Sequence, residues 1–275
     1  MMELRYAAPA EDVRDIISIY YYGAVKTSFV GEERAAIAQF RVHLNGGVRA
    51  TMPGGKTFHI VETSVQGPTT GPIKYEFHAD SAFVGCGLLP CGWDALVGRS
   101  AADHANMVLP LSPLFKTDPR AFEARLTAAN SFDNMVPVMD EFARHLKSRV
   151  DENVREFVRL VDNWLVASPS PDVADLYDAI ALSSRQIERL VKHLYGGSPK
   201  FIARKYRALR AARQIKEDGA PADDAFYDQS HMIRELKHFT GHTPGGIQLN
   251  TDELARLIDS RSDLVDQIHP LTAIT

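Results

Sequence analysis

The chain has 275 residues, 45% of them hydrophobic and 24% charged, with a formal net charge of −4. That length holds two ordinary domains, and the composition is that of a globular protein rather than a disordered or fibrous one. No run of 18 apolar residues occurs, which argues against a spanning helix or a membrane partner, and Met1 to Ala10 lacks the basic and apolar regions of a secretory leader. The expected location is cytoplasmic, with Cys86 and Cys91 reduced.

In chain order, Ile16–Val25, with its Tyr20-Tyr21-Tyr22 run, reads as a strand. Gln39–Thr51, Lys56–Val65 and Ile73–Leu88 read as three more. Gly46-Gly47, Gly54-Gly55 and Gly67-Pro68 punctuate them as turns. The spacing predicts a small sheet sandwich or barrel, with a cupin-like fold among the options. His43, His59 and His78 fall on separate strands without the spacing of a metal site, so no metal or cofactor is expected. Cys86 and Cys91 flank a turn containing Gly and Pro, where they either pair, sense oxidants or simply pack.

From about Trp93 the pattern turns helical. Asp118-Pro119 opens a helix with Pro in a tolerated first-turn position. Asn134–Val150 and Glu152–Val166 read as two more. In the latter, Val154, Phe157, Val158, Val161 and Leu165 make one apolar face. Ser168-Pro169-Ser170-Pro171 is a break. After Asn250 the sequence allows one further helix and a polar end.

Charge is unevenly placed. From Arg185 to Lys216 there are ten Lys or Arg and one acid, Glu188, a net of +9 in a chain whose total is −4. A basic island in an acidic chain is either a phosphate-binding footprint or a solvated helix face.

Asp172–Ala179 reads as a short helix, and Ala181-Leu182 as a tight turn. Ser183 then opens a second helix with Gln186 three residues on, a capping box in which each side chain satisfies a free backbone N–H. Ile187, Leu190, Val191 and Leu194 form its buried stripe. Arg185, Glu188, Arg189 and Lys192 lie opposite, and Gly196-Gly197 ends it. This is the pattern of a helix-turn-helix whose second helix enters the major groove. There, Arg bonds guanine O6 and N7 and Glu accepts from cytosine N4. An ordinary helical hairpin with solvated charges is the competing reading.

Leu182-Ser183-Ser184-Arg185-Gln186-Ile187-Glu188-Arg189-Leu190 resembles the recognition-helix signature of AraC-type (AraC/XylS) transcription regulators. Gly197-Ser198-Pro199-Lys200 is similar to the start of that family's linker helix. Phe226-Tyr227-Asp228-Gln229-Ser230-His231-Met232-Ile233-Arg234-Glu235-Leu236-Lys237-His238-Phe239-Thr240-Gly241-His242-Thr243-Pro244 is similar to its C-terminal signature. The resemblance implies two helix-turn-helix units joined by a helix from Pro199 to about Asp218, with Ile202, Tyr206, Leu209 and Ala212 as its packing stripe. It also implies that Arg204, Lys205, Arg207, Arg210 and Arg213 are partly phosphate contacts and partly solvated charges. The second unit departs from the family. Only Ala220 to Ala225 stand where its supporting helix belongs, with Asp223 and Asp224 near the phosphates, so weaker contacts from this unit are expected. More weakly, Gly85-x-Gly87-x-x-Pro90-x-Gly92-Trp93 and Val108-Leu109-Pro110-Leu111 look like a domain that precedes such modules.

The expected fold is α+β: a β-rich sensor or oligomerisation domain over 1–130, connecting helices over 131–167, a DNA-binding domain over 168–250 and a tail over 251–275. The expected function is a sequence-specific DNA-binding regulator, not an enzyme, controlled by a small-molecule effector or by oligomerisation. Double-stranded DNA is its partner, and a homodimer forms through the N-terminal domain or the helices from Asn134 to Val166. The DNA-contacting residues are Ser184, Arg185, Glu188, Arg189 and Lys192 in the first unit, Arg204 on the linker, and Gln229, Ser230 and Arg234 in the second. The alternatives are a ligand-binding or interaction protein with a degenerate second unit, and a cupin-like enzyme.

Overall fold

The computed structural model describes residues 2–111, 115–221, 225–249 and 252–273. Among the described residues there are ten strands: β1 (Met2–Ala7), β2 (Ile17–Val25), β3 (Phe29–Glu33), β4 (Ala38–Asn45), β5 (Val48–Thr51), β6 (Thr57–Ile60), β7 (Ser64–Gln66), β8 (Ile73–Phe77), β9 (Ser81–Leu88) and, after the first helix, β10 (Val108–Pro110). They make two sheets, ordered β1-β2-β9-β4-β7-β10 and β3-β8-β5-β6. The observed pairings are antiparallel. The expectation of a sandwich or barrel is thus realised as a two-sheet sandwich.

Three of the four predicted strands are each two strands, and each divides between the sheets. Gln39–Thr51 breaks at Gly46, where φ is 64°, and Ile73–Leu88 breaks at Asp80, where φ is 58°. Lys56–Val65 breaks at the exposed Val61 and Glu62. Apolar residues continue through these corners, facing the helices on one side (Phe40, Val42, Val65, Val84) and the space between the sheets on the other (Val48, Ala50, Ile60, Phe77), so periodicity does not report the change of sheet. β1, β3 and β10 were not expected. β10 is an edge strand ending in Pro110, where a missing N–H costs no ladder bond.

The helices are α1 (Pro90–Leu96), α2 (Arg120–Ala128), α3 (Phe132–Lys147), α4 (Glu152–Ala167), α5 (Val173–Ala179), α6 (Ser184–Tyr195), α7 (Pro199–Asp218), α8 (Gln229–Thr240), α9 (Pro244–Leu249), α10 (Glu253–Asp259) and α11 (Pro270–Ala273). Pro119 is the cap of α2 rather than its first residue.

The six-stranded sheet is covered on both faces. On β4, Ala38, Phe40 and Val42 point to the helices, while Arg41 packs against Tyr21, Tyr75 and Phe83 between the sheets. Phe40 lies under the stacked rings of Phe122 and Phe142, whose centroids are 4.1 Å apart. That core is continuous with the C-terminal helices: Tyr20, Trp93, Phe142, Leu165, Ile187, Val191 and Tyr206 belong to one cluster. Each such buried side chain contributes about 1.5–3 kcal/mol of transfer free energy. The apolar stripes of α3 and α4 face this core. Phe142, Leu146, Phe157 and Leu165 are buried within the chain, which removes the reason for expecting a second copy on those helices.

The C-terminal segment is not a polar end. α10 lies on β3 and β1, and Leu254 and Ile258 enter the core between the sheets. Gly31 makes this possible, since a Cβ there would stand 2.4 Å from Leu254 Cβ.

Cys86 and Cys91 are free and buried. Burial pushes both thiols up to about 12, so they stay protonated, unlike an oxidant-sensing thiolate. His43 flanks Phe83, while His59 and His78 are exposed. Among the described residues no group of three metal-ligating side chains gathers, and no helix is long and apolar enough to cross a membrane.

Candidate nucleic-acid interface

α5 and α6 form a short helix, a turn and a second helix. Asp172 caps α5 by accepting from the Ala174 N–H at 2.9 Å. Leu176 and Ile180 are buried beneath the turn. The capping box at the start of α6 is present in full. Ser183 Oγ accepts from the Gln186 N–H, and Gln186 Oε1 accepts from the Ser183 N–H at 3.0 Å. Gly196, with φ 85°, ends the helix in the left-handed region, where a residue without Cβ pays no steric penalty.

The predicted faces are the observed ones. Ile187, Val191 and Leu194 are buried, Leu190 is half-buried, and Ser184, Arg185, Glu188, Arg189 and Lys192 are exposed. Glu188 accepts from Tyr177 Oη at 3.3 Å and stands 3.8 Å from Lys192 Nζ. Burial and the Glu188 carboxylate hold the Tyr177 hydroxyl above its usual range. Arg185 and Arg189 have no ion-pair partner among the described residues, and they project from the same side of a rigid, doubly capped helix.

α7 is a 20-residue helix capped by Ser198, with Pro199 in its first turn and Gly219 at its end; at 1.5 Å per residue it spans about 30 Å. Its cations do not form a phosphate-binding stripe. Lys205 is buried and donates to the carbonyls of Ala36 at 2.6 Å and Thr69 at 3.0 Å. Arg210 donates to the carbonyls of Leu165 and Ser168. Arg213 pairs with Glu217 and Lys216 with Asp259. Burial lowers Arg207 and Arg210 below their ordinary range. Arg204 makes a bidentate pair with the buried Glu235, at 2.7 and 2.9 Å, and so ties α7 to α8. The basic island is therefore divided: its α6 part faces outward, and most of its α7 part holds the protein together.

α8 repeats the design of α6. Asp228 accepts from the His231 N–H at 2.7 Å, and Gly241, with φ 81°, ends the helix. Leu236 and Phe239 are buried and Met232 is half-buried, while Gln229, Ser230 and Arg234 are exposed. The predicted shortage of support falls on Ala222, Asp223 and Asp224, which lie outside the described residues. The described neighbours brace α8 from other directions. Leu236 packs with Ala211, Ala212 and Ile215 of α7, joined by Phe226 and by Ile247 of α9. Gln248 Nε2 also donates to the Gly219 carbonyl at 2.9 Å.

No family model matches the chain, and no curated protein matches it. Among solved structures it is similar to ToxT from Vibrio cholerae, with 6% identity and a TM-score of 0.46 over 90% of this chain and 97% of that one. It is also similar to the AraC-like transcriptional activator CuxR, with 14% identity and a TM-score of 0.30 over 78% of this chain and 87% of that one.

Tyr227 was missed in the sequence. It is 95% exposed and directly precedes the Asp228 cap. Its place in the motif was visible; its exposure was not, because the residue before it, Phe226, turns inward. The internal roles of Lys205 and Arg210 were also missed, since their partners are backbone carbonyls that no side-chain pattern reveals.

Proposed function

We propose that this chain is a sequence-specific DNA-binding transcription regulator of the AraC type. α5–α6 is its first helix-turn-helix unit and α8 is the recognition helix of its second. One observation carries the reading: Arg185 and Arg189 stand exposed and unpaired among the described residues, on one side of a helix fixed at both ends. Arg in that setting can bond guanine bidentately. Glu188 and Ser184 complete the base-reading face, and Lys192 meets the backbone. Gln229, Ser230 and Arg234 do the same work from α8, where the exposed ring of Tyr227 can meet a thymine methyl. Arg204 acts as a brace between the two units through Glu235.

The sandwich is the regulatory half, sensing a small molecule or pairing two chains. Its contact with α7 through Lys205, and with α6 through the Ala101 and Ala102 N–H groups, supports such coupling. Selection of bound fragments from random DNA followed by sequencing tests the reading. The expected outcome is one enriched motif, with binding to it 10³-fold or more above bulk DNA, in the usual range for specific sites. Recovery of unenriched DNA would overturn it. Sedimentation at micromolar concentration, with and without the selected DNA, tests the homodimer, and a monomer in both would remove that part.

A further inference from the structure

Three loops of the sandwich are hydrogen-bonded to one another where they meet the C-terminal helices. The Thr69 N–H donates to the Ala36 carbonyl at 3.0 Å, and Thr69 Oγ1 accepts from the Ala36 N–H at 2.8 Å. The Asn106 N–H donates to the Pro68 carbonyl at 3.1 Å, while Asn106 Oδ1 accepts from the Thr70 N–H at 2.9 Å. The loops around Ala36, Thr69 and Asn106 thus form one platform, and Thr69, only 1% exposed, lies at its centre.

Both α6 and α8 end on this platform. The last carbonyls of a helix have no partner along the helix itself. Here the Ala101 and Ala102 N–H groups donate to the His193 and Lys192 carbonyls of α6 at 2.7 and 3.1 Å, and the Ala35 N–H donates to the Phe239 carbonyl of α8 at 2.8 Å. Between them α7 is held as well, because Lys205 Nζ donates to the Ala36 carbonyl at 2.6 Å and to the Thr69 carbonyl at 3.0 Å. Gly196, at the end of α6, lies so close that a Cβ there would stand 2.4 Å from Pro68 Cγ. Apolar burial has no direction, whereas a hydrogen bond fixes distance and angle. The sandwich therefore holds both helix ends, and α7 between them, in one set arrangement.

We propose that this platform sets the distance between the base-reading faces of α6 and α8, with Thr69 and Lys205 as its positioning residues. The sandwich then decides which separation of two half-motifs in DNA the chain accepts. Successive major grooves on one face of DNA lie about 34 Å apart, and one added base pair moves the second half-motif by about 3.4 Å and turns it about the axis. Helices tied by directional bonds cannot follow that shift without one of them losing its base contacts. The competing source of spacing is α7 alone, through the bidentate Arg204–Glu235 pair, which ties α8 to α7 but not to α6. The inference rests on the reading of α6 and α8 as DNA-recognition helices.

The test uses the full-length protein and the motif selected from random DNA. Arg189→Ala and Arg234→Ala assign the half-motifs read by α6 and α8, and duplexes with one base pair added or removed between the halves are then titrated. The natural protein should bind each altered duplex about tenfold or more weaker, the loss of one good base contact. Lys205→Met and Thr69→Val, which remove bonds to or within the platform, should each cut that penalty to about threefold or less, since each lost bond is worth a few-fold. Thr69→Ser keeps the hydroxyl and should restore the penalty. Equal binding of all spacings by the natural protein, or a penalty undiminished in both Lys205→Met and Thr69→Val, would overturn the proposal, the second outcome leaving α7 to set the spacing. Chemical denaturation checks that each variant is folded. If Lys205→Met is not, Thr69→Val and Thr69→Ser still decide. Failure to enrich any motif would instead remove the DNA reading, so the two failures appear in separate measurements.

Discussion

Helix α6 ends in a buried polar seat, whereas α8 ends on an aromatic ring. Tyr195, in the last turn of α6, donates to Asp162 Oδ1 at 2.6 Å, and Asp162 Oδ2 lies 3.5 Å from His269 Nε2. The Ala101 and Ala102 N–H groups donate to the His193 and Lys192 carbonyls at 2.7 and 3.1 Å. At α8 the seat is Phe239, fully buried against Phe201 with ring centroids 5.6 Å apart, while its carbonyl accepts from the Ala35 N–H at 2.8 Å. The two helices share cap chemistry, length and terminal glycine. What separates them is the surface on which each docks: α4 and the C-terminal segment for one, the sandwich edge and α7 for the other. Local code makes each capped helix, and its neighbours decide how firmly it is held.

The largest expected effect comes from the aromatic seat. Phe239→Ala should cost about 3–5 kcal/mol of stability, measured by chemical denaturation. A loss below 1 kcal/mol would show that α8 is held by Glu235 and Ile247 instead.

The polar seat should respond to pH where the aromatic one cannot. Burial pushes the Asp162 carboxyl up to about 7, from an unfolded value near 3.9. The folded chain therefore keeps a proton that the unfolded chain releases. The resulting stabilisation is full below about pH 4 and is lost as pH rises to about 7. Asp162→Asn cannot ionise, so its stability relative to the natural protein should grow by a few kcal/mol from pH 4 to pH 7 and then level off. Parallel curves from pH 4 to pH 8 would show that Asp162 titrates normally.

The sides proposed to face DNA come next. Arg189→Ala should cost about 1–3 kcal/mol on the selected site and much less on random DNA. Arg234→Ala should cost less on the same site if the first unit carries most of the specificity. Equal losses, with protection over two successive major grooves, would make the units equivalent, as the bracing of α8 by α9 permits.

The smallest effects should be alike in both units. Ser183→Ala and Asp228→Ala each remove one N-cap and should cost about 1 kcal/mol. A markedly larger loss at Ser183 would mean that its reciprocal bond with Gln186 does more than cap.

The sequence by itself determined the C-terminal helices closely. The caps at Asp172, Ser183, Ser198 and Asp228, the glycines at 196, 219 and 241, and the 3.6-residue stripes are local signals, and each element boundary from α5 to α8 follows from them. It determined which side chains of α6 and α8 face outward for the same reason. Tertiary structure decided what lies beyond the reach of such signals. Long strands divide at corners that keep the apolar pattern unbroken. Lys205 and Arg210 of α7 turn inward because carbonyls of residues 36, 69, 165 and 168 arrive from distant parts of the chain. The segment after 251 becomes a wall of the sandwich because Gly31, more than 200 positions earlier, leaves room for Leu254. Contacts between residues so far apart are set by how layers pack, and no window of sequence contains both partners.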